Sequence, residues 1–280
     1  MKIAVTGASG FIGRQVLRQL ARPEVEVIAA TRSALKLEGL GRDVQIVELD
    51  LAAPGSDPFQ RLGRPDVLLH LAWDGLPNYQ SLRHFEVELP AQYRFLKGMV
   101  EAGLPALVVT GTCFEYGLQS GPLDPSRETR PNNPYGFAKD TLRRQLEFLK
   151  AGTPFNLVWA RMFYLFGEGQ SSGSLFPLLK AAVASGERVF NMSGGEQLRD
   201  YLPVERAALD LARLALKHPD AEPVNVCSGT PVSVRRLVEQ WINENHWDIT
   251  HNLGHYPYPD HEPMAFWGDR RSLDALLGPP

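Results

Sequence analysis

Apolar and polar positions fall into blocks along the first half of the chain. Runs that are apolar almost without a break occur at 2–7 (KIAVTG), 25–31 (VEVIAAT), 44–50 (VQIVELD), 67–73 (VLLHLAW) and 106–112 (ALVVTGT). Amphipathic stretches of helical length separate several of them, at Phe11–Leu20, at 83–101 and, further on, at 135–150. Strands without a polar face, joined by helices, predict a parallel sheet covered on both sides. Two more runs, FNLVWARMF at 155–163 and VNVCS at 224–228, predict further strands of that sheet. After Phe163 the pattern changes to a Gly- and Ser-rich loop at 167–173, a helical run at 175–186, and a His-, Tyr- and Pro-rich tail from Asn245. The pattern predicts an α/β fold. A doubly wound sheet takes residues 1–163 and 201–227, and a smaller α/β cap takes 164–200 and 228–280, over the carboxyl ends of the strands.

Composition narrows the classes of partner. With 280 residues, 44% hydrophobic and 22% charged, the chain can bury a large core without disulfides or metals. A net charge of −3 gives no basic excess for a nucleic acid or an acidic membrane. No apolar run approaches the roughly 18 residues of a membrane span, and MKIAVTGASG enters a strand pattern with no secretory signal. Two cysteines, Cys113 and Cys227, suit a reducing compartment. The expectation is a cytoplasmic protein.

The first strand runs into TGASGFIG, with Gly7, Gly10 and Gly13 spaced GxxGxxG. Gly7 permits a tight turn, Gly10 lets the backbone approach a pyrophosphate, and Gly13 lets the helix pack close to the sheet. The helix beginning at Phe11 and Ile12 then offers free N–H groups to the phosphates. This context predicts a Rossmann-type dinucleotide site. A carboxylate at the end of the second strand would select NAD, but Thr31 stands there and Arg32 follows. A guanidinium suits a 2′-phosphate, so NADP(H) is expected to be preferred, with NAD(H) possible. Asp50 and Leu51 end the third strand near the adenine; Asp50 equally suits a cap. Leu71 and Ala72 end the fourth, where the small side chain of Ala72 lets the cofactor approach.

Tyr135 and Lys139 are four apart and share one face of a helix that Pro134 can open. An ammonium group beside a phenol, together with a cationic nicotinamide, favours the phenolate. Such a tyrosine can exchange a proton with an oxygen while hydride moves at the adjacent carbon. A surface Tyr and a solvated Lys are common at this spacing; the glycine turn upstream favours the catalytic reading.

The GxxGxxG turn, Thr112 before EYG, YGFAK at 135–139 and LRDYLPVERAA at 198–208 together resemble the extended short-chain dehydrogenases/reductases, the NAD-dependent epimerase/dehydratase family. The resemblance implies a catalytic triad of Thr112, Tyr135 and Lys139. In it Thr112 hydrogen-bonds the sugar oxygen, Tyr135 is the acid/base, and Lys139 also holds the nicotinamide ribose. It maps Gly7, Gly10, Phe11, Ile12 and Ala72 onto cofactor contacts. It maps Arg199 onto an arginine that binds the pyrophosphate of a nucleotide-diphosphate sugar. It also implies a homodimer through the helices at 83–101 and 135–150. Two positions depart from the family pattern: Tyr164 and Glu88 each stand where an Asn is usual.

The family's sugar-nucleotide 4,6-dehydratases place Asp and Glu directly after the Thr. Here Cys113 and Phe114 occupy those positions, beside the substrate, and Phe transfers no proton. The resemblance therefore points to a 4-keto reductase of a nucleotide-linked 4-keto-6-deoxyhexose. A nucleotide-sugar 4-epimerase is the alternative, and a non-catalytic dinucleotide-binding protein ranks below it because the triad is intact. Cys113 reads either as an acid/base that shifts a neighbouring stereocentre or as a small apolar residue at a strand end; no activating His or Lys stands near it in sequence. His246, His251, His255 and His261 crowd the tail without metal-ligand spacing, so no metal is expected.

Overall fold

A computed structural model of the chain describes residues 1–37, 39, 44–258 and 262–278. In chain order the elements of the first half are β1 (Lys2–Thr6), α1 (Phe11–Leu20), β2 (Glu26–Thr31), β3 (Val44–Glu48), α2 (Pro58–Arg61), β4 (Val67–His70), α3 (Leu89–Glu101), β5 (Ala106–Thr112), β6 (Gly121–Leu123) and α4 (Pro134–Gly152). The second half adds β7 (Asn156–Met162), β8 (Tyr164–Phe166), α5 (Leu175–Ala184), β9 (Val189–Asn191), β10 (Leu198–Arg199), β11 (Tyr201–Pro203), α6 (Val204–Lys217), β12 (Val224–Val226), β13 (Val232–Ser233), α7 (Val234–Glu244), β14 (Thr250–Asn252), β15 (Phe266–Gly268) and α8 (Arg271–Leu277).

Seven strands form one parallel sheet in the order β12-β7-β5-β4-β1-β2-β3. Successive side chains of a strand face opposite ways, and both faces are core except at the edge strand β3, which is largely exposed. Ile3, Val5, Val27, Ala29, Val67 and Leu69 pack under Val16, Leu17 and Leu20 of α1 and Leu211 of α6. Ala4, Ile28, Leu68, Leu107 and Val109 face the other way, against Phe95 and Met99 of α3 and Leu142 and Leu146 of α4. Each large apolar side chain so buried contributes about 1.5–3 kcal/mol. This two-sided burial is the cause of the unbroken apolar runs in the sequence.

The order of the strands reverses between β1 and β4, which opens a crevice at their carboxyl ends, where doubly wound sheets bind ligands. Strand β4 is shorter than the apolar run that predicts it. Leu71 N donates to Thr6 O at 3.2 Å, and beyond that Gly7 turns away on the β1 side, while β5 runs on to Thr112 beside β7. The helix expected from 83 opens as a π-helical turn, His84–Glu88, before α3. Both its end residues, His84 and Glu88, are buried beside the crevice.

The later elements pair in short two-stranded sheets, β8 with β11, β9 with β14, β10 with β13 and β6 with β15. They enclose a separate cluster built from Leu179, Phe190, Leu237, Val238 and Trp241. The last helix, α8, returns to the main sheet, where Leu273 and Leu277 join the cluster under α6. Among the described residues, no helix is long and apolar enough to cross a membrane.

Candidate functional site

The crevice begins where β1 stops. Gly7 has φ +69°, and a Cβ there would stand 2.8 Å from Ala72 N. A Cβ on Gly13 would stand 2.3 Å from Gly7 O, so α1 lies against the turn at a distance only glycine allows. Gly10 caps α1 with an extended backbone and no side-chain hydrogen bond, which leaves the first N–H groups of the helix open to an anion. A cleft of ≈ 400 Å³ follows, lined by Gly7, Gly10, Thr31, Arg32, Asp50, Leu51, Leu71 and Ala72. Phe11 and Ile12 line the adjoining cavity, and Gly13 lies beneath both. Thr31 Oγ1 is 3.0 Å from Ser9 Oγ and donates to Ser33 O, which fixes the turn after β2. Asp50 Oδ1 accepts from Ala52 N at 3.0 Å and so closes a local turn; no helix begins there for it to cap, since the next one, Pro58–Arg61, is capped by Asp57. Arg32 reaches across the cleft mouth to Asp74 at 3.1 Å. The cradle fits a dinucleotide pyrophosphate.

Strand β5 delivers Thr112 to the second wall. Thr112 is the N-cap of a short 3₁₀ turn, Cys113–Tyr116, with its Oγ1 accepting from Phe114 N. Opposite it, Asn133 Oδ1 caps α4 by accepting from Gly136 N at 2.8 Å, and Pro134 sets the first helical residue. That start places Tyr135 and Lys139 on the face toward Thr112. Lys139 Nζ donates to Thr110 O at 2.8 Å and lies 4.2 Å from the centre of the Trp73 ring. The Tyr135 ring is packed among Trp73, Tyr79, His84 and Phe114, and Thr112 lines the same cavity. Thr112, Tyr135 and Lys139 share a cavity of ≈ 540 Å³ with Cys113, Phe114, Phe11 and Ile12. Folding therefore brings together all three residues of the expected triad, in one cavity with Phe11 and Ile12 at the start of α1.

Electrostatics in this protein-only cavity differ from the expectation for the phenol. Burial pushes the Tyr135 phenol up, and Tyr79, Glu115 and Cys113 add to the shift; the Thr112 hydroxyl only partly offsets them. Burial also pushes Lys139 down to about 7, against the pull of Glu115 and Glu88. Burial thus favours Tyr135 as a neutral phenol, a proton donor. Cys113 is 6% exposed, and burial raises its thiol, as does the nearby Glu262. That environment favours the packing role for Cys113 over an acid/base one.

Several residues of the site are not singled out by the sequence reading. Glu115 is fully buried and accepts from Thr112 N at 2.8 Å, Trp159 Nε1 at 2.9 Å and Arg161 Nε at 2.7 Å. The signal for it is Arg161 within the apolar run FNLVWARMF, two residues from Trp159 and so on the same face of β7. Trp73 Nε1 donates to His84 Nδ1 at 3.0 Å, and His84 Nε2 lies 2.8 Å from Asn78 O. The ring is therefore fixed with its proton on Nε2. Glu88, in place of the family's Asn, accepts from Arg83 and Gln92.

Arg199 is 3% exposed and is not among the residues that line the cavity. Its Nη2 and Nε donate to Glu262 at 2.9 and 3.3 Å, and Nη1 donates to Leu198 O at 2.9 Å. Tyr164, the second departure from the family pattern, donates its hydroxyl to the same carboxylate at 2.7 Å. Of the tail histidines, His261 lies outside the described residues. Among the described residues no group of three or more His, Cys, Asp or Glu is placed to hold a metal ion.

Strand order, the glycine cradle and the ligand crevice at the reversal point define a Rossmann-type dinucleotide-binding fold. Residues 3–227 match the model of the NAD dependent epimerase/dehydratase family, and the chain belongs to that family. It is 30% identical over 270 residues to a dTDP-6-deoxy-L-talose 4-dehydrogenase (NAD(+)) of Aggregatibacter actinomycetemcomitans, covering 96% of this chain and 99% of that one. A dTDP-6-deoxy-L-talose 4-dehydrogenase (NAD(P)(+)) of Kitasatospora kifunensis is 29% identical, over 92% of this chain and 83% of its own. Among solved structures, MoeE5 in complex with UDP-glucuronic acid and NAD superposes with a TM-score of 0.83 at 25% identity, covering 99% of this chain and 93% of that one.

Proposed function

We propose that the protein is a nicotinamide-dependent oxidoreductase that reduces the 4-keto group of a nucleotide-diphosphate 4-keto-6-deoxyhexose. The observation that carries the reading is the single cavity in which Thr112, a protonated Tyr135 and Lys139 adjoin the glycine cradle. Phe114 and a buried Cys113 stand where dehydration would need a proton-transferring pair. The activities named for the 6-deoxytalose dehydrogenases support the same substrate class.

The dinucleotide supplies hydride when bound. Gly7, Gly10 and Gly13 admit its pyrophosphate to the N-terminus of α1, and Ala72 leaves room beside them. Thr112 holds the sugar oxygen, and Tyr135 donates its hydroxyl proton to that oxygen as the carbon is reduced. Lys139, anchored on Thr110 O, stabilises the resulting phenolate and holds the nicotinamide ribose. Trp73, Tyr79 and Phe114 exclude water from the Tyr135 hydroxyl. Arg199 meets the substrate diphosphate by exchanging Glu262 for it. Thr31 and Arg32 support a preference for NADPH, with NADH accepted.

The reading includes a sheet unit of 1–163 and 201–227 under a substrate cap of 164–200 and 228–280, from which α8 returns to the sheet. It includes a cytoplasmic homodimer through α3 and α4. Support comes from the exposed Phe137 and Phe148 on α4 and from two cysteines left free. The test is incubation with NADPH or NADH and a panel of dTDP-, GDP- and UDP-linked 4-keto-6-deoxyhexoses, read at 340 nm and by NMR of the product. One equivalent of dinucleotide oxidised per sugar, with new hydrogen at C4, is expected. No consumption with any sugar, or epimerisation without net redox change, would overturn the reading.

A further inference from the structure

We propose that Asp74 governs the choice between NADPH and NADH by competing with a 2′-phosphate for Arg32. The inference rests on the dinucleotide reading of the cleft and adds a residue that no position on β2 would reveal. Four charged side chains cross the adenosine half of the cleft in one chain. Arg32 pairs with Asp74 at 3.1 Å, Asp74 with Arg83 at 3.6 Å, and Arg83 with Glu88 at 3.1 Å. All four line that cleft.

The two partners in the first pair differ in freedom. Asp74 is bracketed by Arg32 and Arg83, and its N–H points to Glu88 Oε2 at 3.4 Å. Arg32 sits just past the end of β2 with its side chain 64% exposed, and can swing about its own stem. Strand β2 ends in Thr31 and not in a carboxylate, and the Thr31 hydroxyl is occupied with Ser9 and Ser33. Of the carboxylates that line the cleft, Asp50, Asp74 and Glu88, the one paired with Arg32 is Asp74, from the loop after β4. While the pair holds, the guanidinium is neutralised and the cleft presents no free cation from Arg32 to a phosphate. A bound 2′-phosphate must take Arg32 from Asp74 and tolerate a carboxylate close by, whereas a 2′-hydroxyl needs neither. The pair is exposed and therefore weak, so it tempers the preference without abolishing NADPH binding.

The test is fluorescence titration of the purified protein with NADPH and with NADH, using 2′,5′-ADP and 5′-AMP as fragment probes. Asp74→Asn, which keeps the shape and removes the charge, is expected to raise the NADPH-to-NADH affinity ratio about fivefold. Arg32→Gln is expected to lower that ratio by at least as much and to leave NADH within about twofold. Raising the salt concentration shrinks both effects. If Asp74→Asn weakens both dinucleotides equally, Asp74 is a structural strap and the proposal fails; an unchanged ratio also overturns it. Wild-type protein that binds neither dinucleotide would overturn the cofactor reading and this proposal together, whereas binding with an insensitive ratio removes this proposal alone.

Discussion

Glu115 offers the sharpest test of how the site is held. Its carboxylate is fully buried, with Arg161 Nε 2.7 Å away, and it also takes hydrogen bonds from Thr112 N and Trp159 Nε1. Glu115→Gln replaces one acceptor oxygen by a donor that faces two donors, and leaves Arg161 charged and buried without its counter-ion. Losing one partner of a buried ion pair costs about 3–5 kcal/mol. For a chain of 280 residues at about 2.1 cal/mol/K per residue, that lowers the melting temperature by about 5–9 °C. Urea and thermal unfolding followed by tryptophan fluorescence measure it, since Trp159 is part of the network. The double variant Glu115→Gln/Arg161→Met is expected to recover part of the loss, because it removes the uncompensated charge and keeps a side-chain acceptor for the Thr112 and Trp159 donors. A Glu115→Gln protein within about 1 kcal/mol of wild type would refute the claim that the carboxylate is needed to offset Arg161. A double variant no more stable than the single one would refute the uncompensated charge as the cause.

Tyr135→Phe is expected to lower turnover of a 4-keto sugar nucleotide by about 10²–10⁴-fold while NADPH binding persists; loss of binding instead would point to a packing role. Gly111→Ala places a Cβ 2.1 Å from Trp159 Nε1 and 2.5 Å from Glu115 Oε1, so insoluble or strongly destabilised protein is expected on expression. His70 is fully buried, and burial, with the Lys139 charge adding to it, pushes it down to about 3. The unfolded chain then binds the extra proton between about pH 6.5 and 3, so this contribution is complete above pH 6.5 and is lost as pH falls toward 3. Between pH 6.5 and 5 the loss is about 2 kcal/mol, and urea midpoints of wild type and His70→Gln at the two pH values should diverge accordingly.

The sequence by itself determined the parallel sheet, because strands buried on both faces must be apolar at every position and the runs show it. It also determined the phosphate cradle, since Gly7, Gly10 and Gly13 are the residues that a turn with such close backbone approach permits. Helical spacing put Tyr135 and Lys139 on one face, and the glycine turn upstream favoured their catalytic reading. What tertiary structure decided is which charges meet. Glu115 lies more than forty residues from Trp159 and Arg161 along the chain, and only the pairing of β5 with β7 joins them behind Thr112. Arg199 reads as a free anion ligand until the tail folds back and Glu262 takes its guanidinium. Arg32 likewise reads as a phosphate ligand until the loop after β4 sets Asp74 opposite it. Local pattern specifies burial and backbone shape, which are properties of neighbours in sequence. The ionisation of Tyr135 and the freedom of an arginine depend on groups brought close by the fold, and no spacing in the chain encodes those distances.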